Sequence, residues 1–205
     1  MPPTNKTSTV GRPRKFDRDK VINLALKAFW MHGYDGTSMR ILESAMGLKA
    51  PSIYGAFGNK ESLFKTCIES YNNKTRPFHL KAVDQPNSLL VAKCLLESAV
   101  EHMTSEDNPD GCLIFLGAAV SSPSSDSIRH YLSDIASRCT LLYVDRFERS
   151  IEEGDLPKNA DPVLLANYLI VVDRGLALQA KAGHTKPDLL KIVSMALSNW
   201  PCCDR

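Results

Sequence analysis

Between Lys49 and Gly55 the chain sets Lys49, Ala50, Ser52, Tyr54 and Gly55 outward or sideways on one short helix, while Ile53 and, four residues on, Phe57 give that helix its buried side. The outward set offers one ammonium, two hydroxyls and two very small side chains. That is the chemistry of hydrogen bonding to base edges and phosphates: a helix that enters the major groove needs small residues for close approach and polar groups to read with. A plain helical hairpin would use the same spacing, so the neighbouring residues must decide.

The elements that position this set follow from local signals. Thr37 can cap a helix with its hydroxyl, and Met39, Leu42 and Met46 recur at +3 and +4 as its apolar face. Arg40 stands where a capping-box Glu or Gln would reach back, so no such box supports the start. Gly47 can take the left-handed conformation that ends a helix. Leu48 returns to the core, and Pro51 opens the second helix where no N–H is needed.

Three features favour nucleic acid. Residues 1–60 hold ten Lys and Arg against four acids, a net of +6, while the whole chain is +2 and residues 61–205 carry −4. A basic head on an acidic body suits a polyanion. Gly11-Arg12-Pro13-Arg14-Lys15 lies in a polar, apolar-poor N-terminus, and Arg12 and Arg14 suit a minor-groove arm over residues 1–14. Asn59 can cap the next helix and so put Lys60 at its N-terminus, where backbone N–H groups and the helix dipole attract phosphate.

Residues 15–75 resemble the N-terminal domain of the TetR family of bacterial transcriptional regulators. The resemblance rests on Ala28-Phe29-Trp30-Met31-His32-Gly33-Tyr34, then Gly36-Thr37-Ser38, Ala45-Met46-Gly47-Leu48, Ser52-Ile53-Tyr54, Phe57, and Asn59-Lys60-Glu61-Ser62-Leu63-Phe64, in order and at matching spacing. The stretch from Gly11 to Ser38 is similar to a sub-branch holding copper-responsive and AefR-like repressors. Glu43, where many members carry a small apolar residue, and Pro51 depart from the pattern. The resemblance implies that Thr37 and Ser38 bind phosphate, that Lys49, Ala50 and Ser52 approach base edges with Gly55 leaving room, and that Tyr54 and Lys60 grip the backbone. Phosphate contacts set register and base contacts set sequence. Phe29, Leu42, Leu48, Ile53, Phe57 and Leu63 would be core.

The expected fold is all-α: a helix-turn-helix domain over 15–75 with its reading motif at 38–57, a helical effector-binding and dimerisation domain over 76–200, and a tail at 201–205. Helices are expected at Arg18–His32, Ser38–Met46, Ala50–Ala56, Lys60–Leu80 (with an end near Pro77 as the alternative), Asn87–Thr104, Cys112–Val120, Asp126–Glu153, Pro162–Ala182 and Pro187–Trp200. From Val163 to Leu178 the strongly polar residues are Asn167, Asp173 and Arg174, so this helix must bury more than one side. Two copies of the last two helices, about 162–200, would make a four-helix homodimer interface; internal burial in a monomer is the alternative.

Gly111 to Ala118 resembles the short helix beneath the effector pocket in this family, so Cys112 and Phe115 are candidate pocket residues. Tyr143, Tyr168 and Asp173 are candidates for its polar contacts, or else satisfied core or interface residues. The effector itself is not legible. The longest unbroken apolar run, Leu113–Val120, is eight residues, too short to span a membrane. The N-terminus is polar with no apolar leader, and the expected location is the bacterial cytoplasm. Six cysteines show no Cys-x-x-Cys or Cys/His cluster, so no cofactor or metal is expected. Cys67, Cys94, Cys112 and Cys139 could instead line a metal or thiol sensor, and no motif supplies Cys112 with a catalytic partner.

The expectation is therefore a dimeric, ligand-released repressor on a pseudo-palindromic double-stranded operator, responding to an unidentified small molecule. A DNA-bound activator or structural protein without an effector, or a thiol or metal sensor, are the alternatives.

Overall fold

The computed structural model describes residues 16–115 and 125–201. Arg12, Arg14 and the rest of the expected arm, the segment from Leu116 into the Ser121–Ser125 loop, and Cys202-Cys203 lie outside these residues. Eight helices are described, with no strand among the described residues: α1 (Arg18–Gly36), α2 (Met39–Met46), α3 (Ala50–Phe57), α4 (Lys60–Val83), α5 (Ser88–Met103), α6 (Asp126–Glu152), α7 (Pro162–Lys181) and α8 (Lys186–Leu197). Residues 113–115 are also helical.

Side-chain caps start most of them. The Asp17 carboxylate accepts the N–H groups of Asp19 and Lys20 at 3.1 Å each, Asn59 Oδ1 accepts Ser62 N–H at 2.8 Å, Asn87 Oδ1 accepts Leu90 N–H at 2.9 Å, and Asp161 Oδ1 accepts Leu164 N–H at 3.0 Å. Each satisfies a donor that a helix start leaves orphaned. Helix α1 breaks at Gly33 (φ 70°, ψ 171°), one residue after the expected end, and a further helical turn runs to Gly36.

Two expectations about helix starts and stops are corrected. The cap of α2 is Ser38, whose Oγ accepts Ile41 N–H at 3.3 Å. Thr37 is fully buried, and its hydroxyl donates backward to Gly33 O at 2.6 Å, so it ties the end of α1 instead. Helix α4 does not stop near Pro77 but runs to Val83. The proline removes one internal hydrogen bond, yet Thr75 and Ala82 on either side are buried, and the far end of α4 is held from outside. Buried Arg146 of α6 donates from Nε to Val83 O at 3.0 Å and from Nη2 to Gln85 O at 2.9 Å.

Helices α1–α3 and the first half of α4 form a small head, and α4 continues into a body of α5–α8. One continuous core runs through both. Trp30 of α1 packs edge-on to Tyr71 of α4 at 5.1 Å and against His102 of α5 at 5.8 Å, joining the two parts. Helix α8 ends at Leu197 rather than Trp200, because the chain turns so that Trp200 enters the body: its Nε1 donates to Ser88 Oγ at 3.2 Å and its ring meets Phe147 at 5.5 Å. By length and composition α7 is apolar enough to cross a membrane, which unbroken runs did not reveal. In the fold one side of it packs against α5, α6 and α8, while Val163, Leu164, Val171 and Leu178 stay exposed on the other.

Candidate nucleic-acid interface and buried cavity

Helices α2 and α3 meet at Gly47, which adopts φ 65°, ψ 25°, the left-handed turn that a side chain disfavours. Leu42, Met46, Ile53 and Phe57 are buried between them and the rest of the head. Lys49, Pro51, Ser52, Tyr54 and Gly55 are exposed together, with Ala50 half-buried beside them. A Cβ on Gly55 would meet nothing within 4 Å, so packing inside the chain does not ask for glycine there.

Two residues that sequence reasoning gave no role fix this helix. Lys49 begins α3 without a side-chain cap. Glu43 of α2 supplies one from across the turn, its Oε1 accepting Ala50 N–H at 2.7 Å. The departure noted at Glu43 thus has a structural use: a carboxylate on the positive end of the neighbouring helix. Arg18 of α1 holds the other end, donating from Nη1 to Ala56 O at 3.3 Å and lying 4.7 Å over the Phe57 ring.

Ser38 and Lys60 stand at the starts of α2 and α4. Lys60 Nζ lies 4.3 Å over the Tyr34 ring, and partial burial lowers its pKa while nearby Asp35 pulls the other way. Thr37 cannot offer its buried hydroxyl to a phosphate, which corrects the role expected for that side chain. The head is joined to the start of α6 by two hydroxyl–carboxylate contacts, Ser125 Oγ to Asp35 and Ser127 Oγ to Glu61 at 3.4 Å.

The body holds a cavity of about 500 Å³, open to solvent on one side, between α4, α5, α6 and α7. Cys112, Phe115 and Asp173 line it. Tyr143 is buried behind the wall, sharing a 2.8 Å hydrogen bond with His79 Nδ1, and His79 itself faces the cavity. Tyr168 is not part of it. That side chain lies between α7 and α8, where its hydroxyl donates to Ala196 O at 2.8 Å. Tyr71, His79 and His102 line the cavity without having been singled out, because scattered histidines and one tyrosine on a helix carry no spacing signal. Tyr71 Oη donates to Cys112 Sγ at 3.4 Å and shares a 3.2 Å bond with His102 Nε2.

Burial sets the charge states here. It lowers His79 to a pKa of about 4 and lowers His102 as well, so both imidazoles are neutral. It raises Cys112 to about 11, Cys139 to about 12 and Cys67, deep in the core, to about 12. It also raises Asp173 to about 7. Among the described residues no group of three or more His, Cys, Asp or Glu could hold a metal ion.

The profile of bacterial regulatory proteins of the tetR family matches residues 21–67. The HTH-type transcriptional repressor ComR of Escherichia coli (strain K12) is 31% identical over 201 residues, covering 93% of this chain and 92% of that protein. The HTH-type transcriptional repressor BdcR of the same organism is 28% identical over 200 residues, covering 94% of each. Among solved structures, a cysteine-substituted TetR family regulator CifR complexed with 26-bp double-strand operator DNA superposes with a TM-score of 0.89 at 36% identity, over 93% of this chain and 100% of that one. With likeness along nearly its whole length and a helix pair of this geometry at its head, the chain belongs to the TetR family of bacterial regulatory proteins.

Proposed function

We propose that this chain is a cytoplasmic, dimeric transcriptional repressor that binds a pseudo-palindromic operator through α3 and leaves it when a small molecule enters the body. The observation that carries the reading is the exposed strip Lys49, Pro51, Ser52, Tyr54, Gly55 on a helix whose other side is wholly buried. The repressor names of ComR and BdcR and the operator complex of CifR support the same reading. Lys49, Ala50 and Ser52 read bases, Gly55 permits approach, and Ser38, Tyr54 and Lys60 hold phosphates, with Arg12 and Arg14 reaching the minor groove.

Dimerisation uses α7 and α8. Leu164, Val171 and Leu178 are exposed at seven-residue intervals, with Gly175 between the last two, and Ile192 and Met195 of α8 are exposed apolar residues too. Such a stripe suits a four-helix contact between two copies. The cavity is the effector site, because it is concave, mainly apolar and holds a few convergent polar groups. Sensing through thiolates is disfavoured, since Cys112 and Cys139 stay protonated near neutral pH.

Genomic fragments selected by the purified full chain should share one two-fold motif. On that motif Lys60→Ala, which removes one phosphate contact from each copy, should weaken binding to all sequences alike and reduce the salt slope by about two. Lys49→Ala or Ser52→Ala should instead reorder sequence preference by ~1–3 kcal/mol at one position of each half-site. Recovery of no common motif would refute the reading; an unchanged ranking of sites would remove those two residues from base contact.

A further inference from the structure

Asp173 is 4% exposed, lies among the residues lining the cavity, and its Oδ1 has no hydrogen-bond partner among the described residues. A buried polar atom without a partner costs free energy that a bound donor would recover. The neighbouring cation, Arg174, is exposed on α7 with its guanidinium 5.1 Å from the centre of the Phe115 ring; its charge pulls the Asp173 pKa down against the burial that raises it, but it makes no ion pair or hydrogen bond with the carboxylate. Around Asp173 stand Tyr71 of α4, Cys112, and Cys139 and Tyr143 of α6, each close enough to interact with its charge, and all of them neutral through burial. The two imidazoles in the cavity, His79 and His102, are neutral as well. Arg76 and Arg138 line the mouth, but both are exposed and therefore screened by solvent. Among the described residues the interior thus offers one acceptor of charge-assisted hydrogen bonds and no buried cation. The rings of Phe78 and Phe115 and the side chains of Met103, Ile114 and Ile135 supply apolar and aromatic surface.

We propose that the cavity takes a mainly apolar, aryl-bearing small molecule with one protonated amine, whose N–H groups donate to the Asp173 carboxylate. The amine end is held on α7, the helix offered to the second copy, while the aryl end meets α4, the helix that carries the head. An anion of the same size would carry its charge against Asp173, and a neutral molecule would leave the carboxylate without a counter-charge. This inference rests on the reading of the cavity as the effector site.

The test compares three probes of one shape, 4-phenylbutylamine, 4-phenylbutanol and 4-phenylbutyrate, by calorimetry on the full chain. The amine should bind at least about tenfold more tightly than the other two, the scale of one charge-assisted hydrogen bond. Asp173→Asn, checked for native circular dichroism, should abolish that preference. A second measurement needs no variant. Near pH 6 Asp173 is mainly protonated, so amine binding should release about one proton, read from the heat difference between two buffers of unlike ionisation enthalpy. Equal or tighter binding of the butyrate, a preference that survives Asp173→Asn, no amine binding at millimolar concentration, or no proton release would each overturn the assignment. Operator binding measured on the same preparation shows separately whether the regulator reading stands.

Discussion

Gly55 sits inside a helix, where glycine costs about 0.5–1 kcal/mol against alanine, in a place where a methyl group would have open space. Gly55→Ala should therefore raise the stability of the free protein by about that much in urea unfolding, yet weaken operator binding in a fluorescence titration, because the added Cβ stands on the exposed strip. Gain of stability with full DNA affinity would show that the groove does not approach this position. Asp173 makes a second residue-scale prediction. An aspartate in an unfolded chain titrates near 3.9, and burial raises Asp173 to about 7. Between those values the folded form holds the extra proton, so stability falls as pH rises from about 4 to about 7, and the deficit is complete above 7. Asp173→Asn should then stabilise the protein by an amount that grows across this window to roughly a few kcal/mol. His79, lowered to about 4, has the opposite slope, but it is present in both proteins and cancels in the comparison. A pH-independent difference between the two unfolding series would contradict the assignment. At this scale the exposed residues of α3 were legible, since a 3.6-residue period sorts inward from outward. Glu43 was not, because the Ala50 N–H it accepts lies seven residues away across a turn and no periodic rule joins them.

The elements depend on ends supplied by their neighbours. Arg146 is the clearest case: one buried guanidinium on α6 takes the last carbonyl of α4, that of Val83, and the Gln85 carbonyl beyond it. Arg146→Ala would take the Gln85 carbonyl's donor away, leave Val83 O with only the 3.4 Å contact from Arg149 Nη2, and open a void, at a cost of about 2–4 kcal/mol in chemical denaturation. Hydrogen exchange should show the loss concentrated at the end of α4 and the loop that follows. This support also explains why Pro77, read as an alternative end, does not stop the helix. Local propensity ends a helix before proline, whereas burial of Ala82 and the distant arginine continue it, and neither is visible in a ten-residue window. The same holds at the other terminus, where Trp200 reads as the end of a periodic helix but is drawn off it by Ser88 and Phe147.

At the scale of the whole molecule the division into basic head and acidic body was readable from charge alone, and the apolarity of α7 pointed to a second buried face. A pocket was expected only through the family resemblance, and its lining by Tyr71, His79 and His102 was not readable, because the cavity is a space left between four helices and appears in no single one. The exposed stripe on α7 and α8 gives a direct test: Leu164→Glu with Val171→Glu should yield monomers in sedimentation while keeping the helical content. It should also lower operator affinity by well over tenfold, since one head then binds without the second. Dimers that persist in this variant would move the interface elsewhere. Helix α4 belongs to both parts, with Lys60 at the head and Tyr71 to Leu80 along the cavity. Its 24 residues make a rod of about 36 Å. Pivoted at the body end, such a rod tilted by about 5° carries its far tip roughly 3 Å, close to one base-pair step of 3.4 Å. In a two-fold dimer the two tips move in mirrored senses, so their separation would change by up to twice that distance. A molecule filling a few ångströms of the cavity could thus put both reading helices out of phase with the grooves, with no helix melting and no subunit leaving.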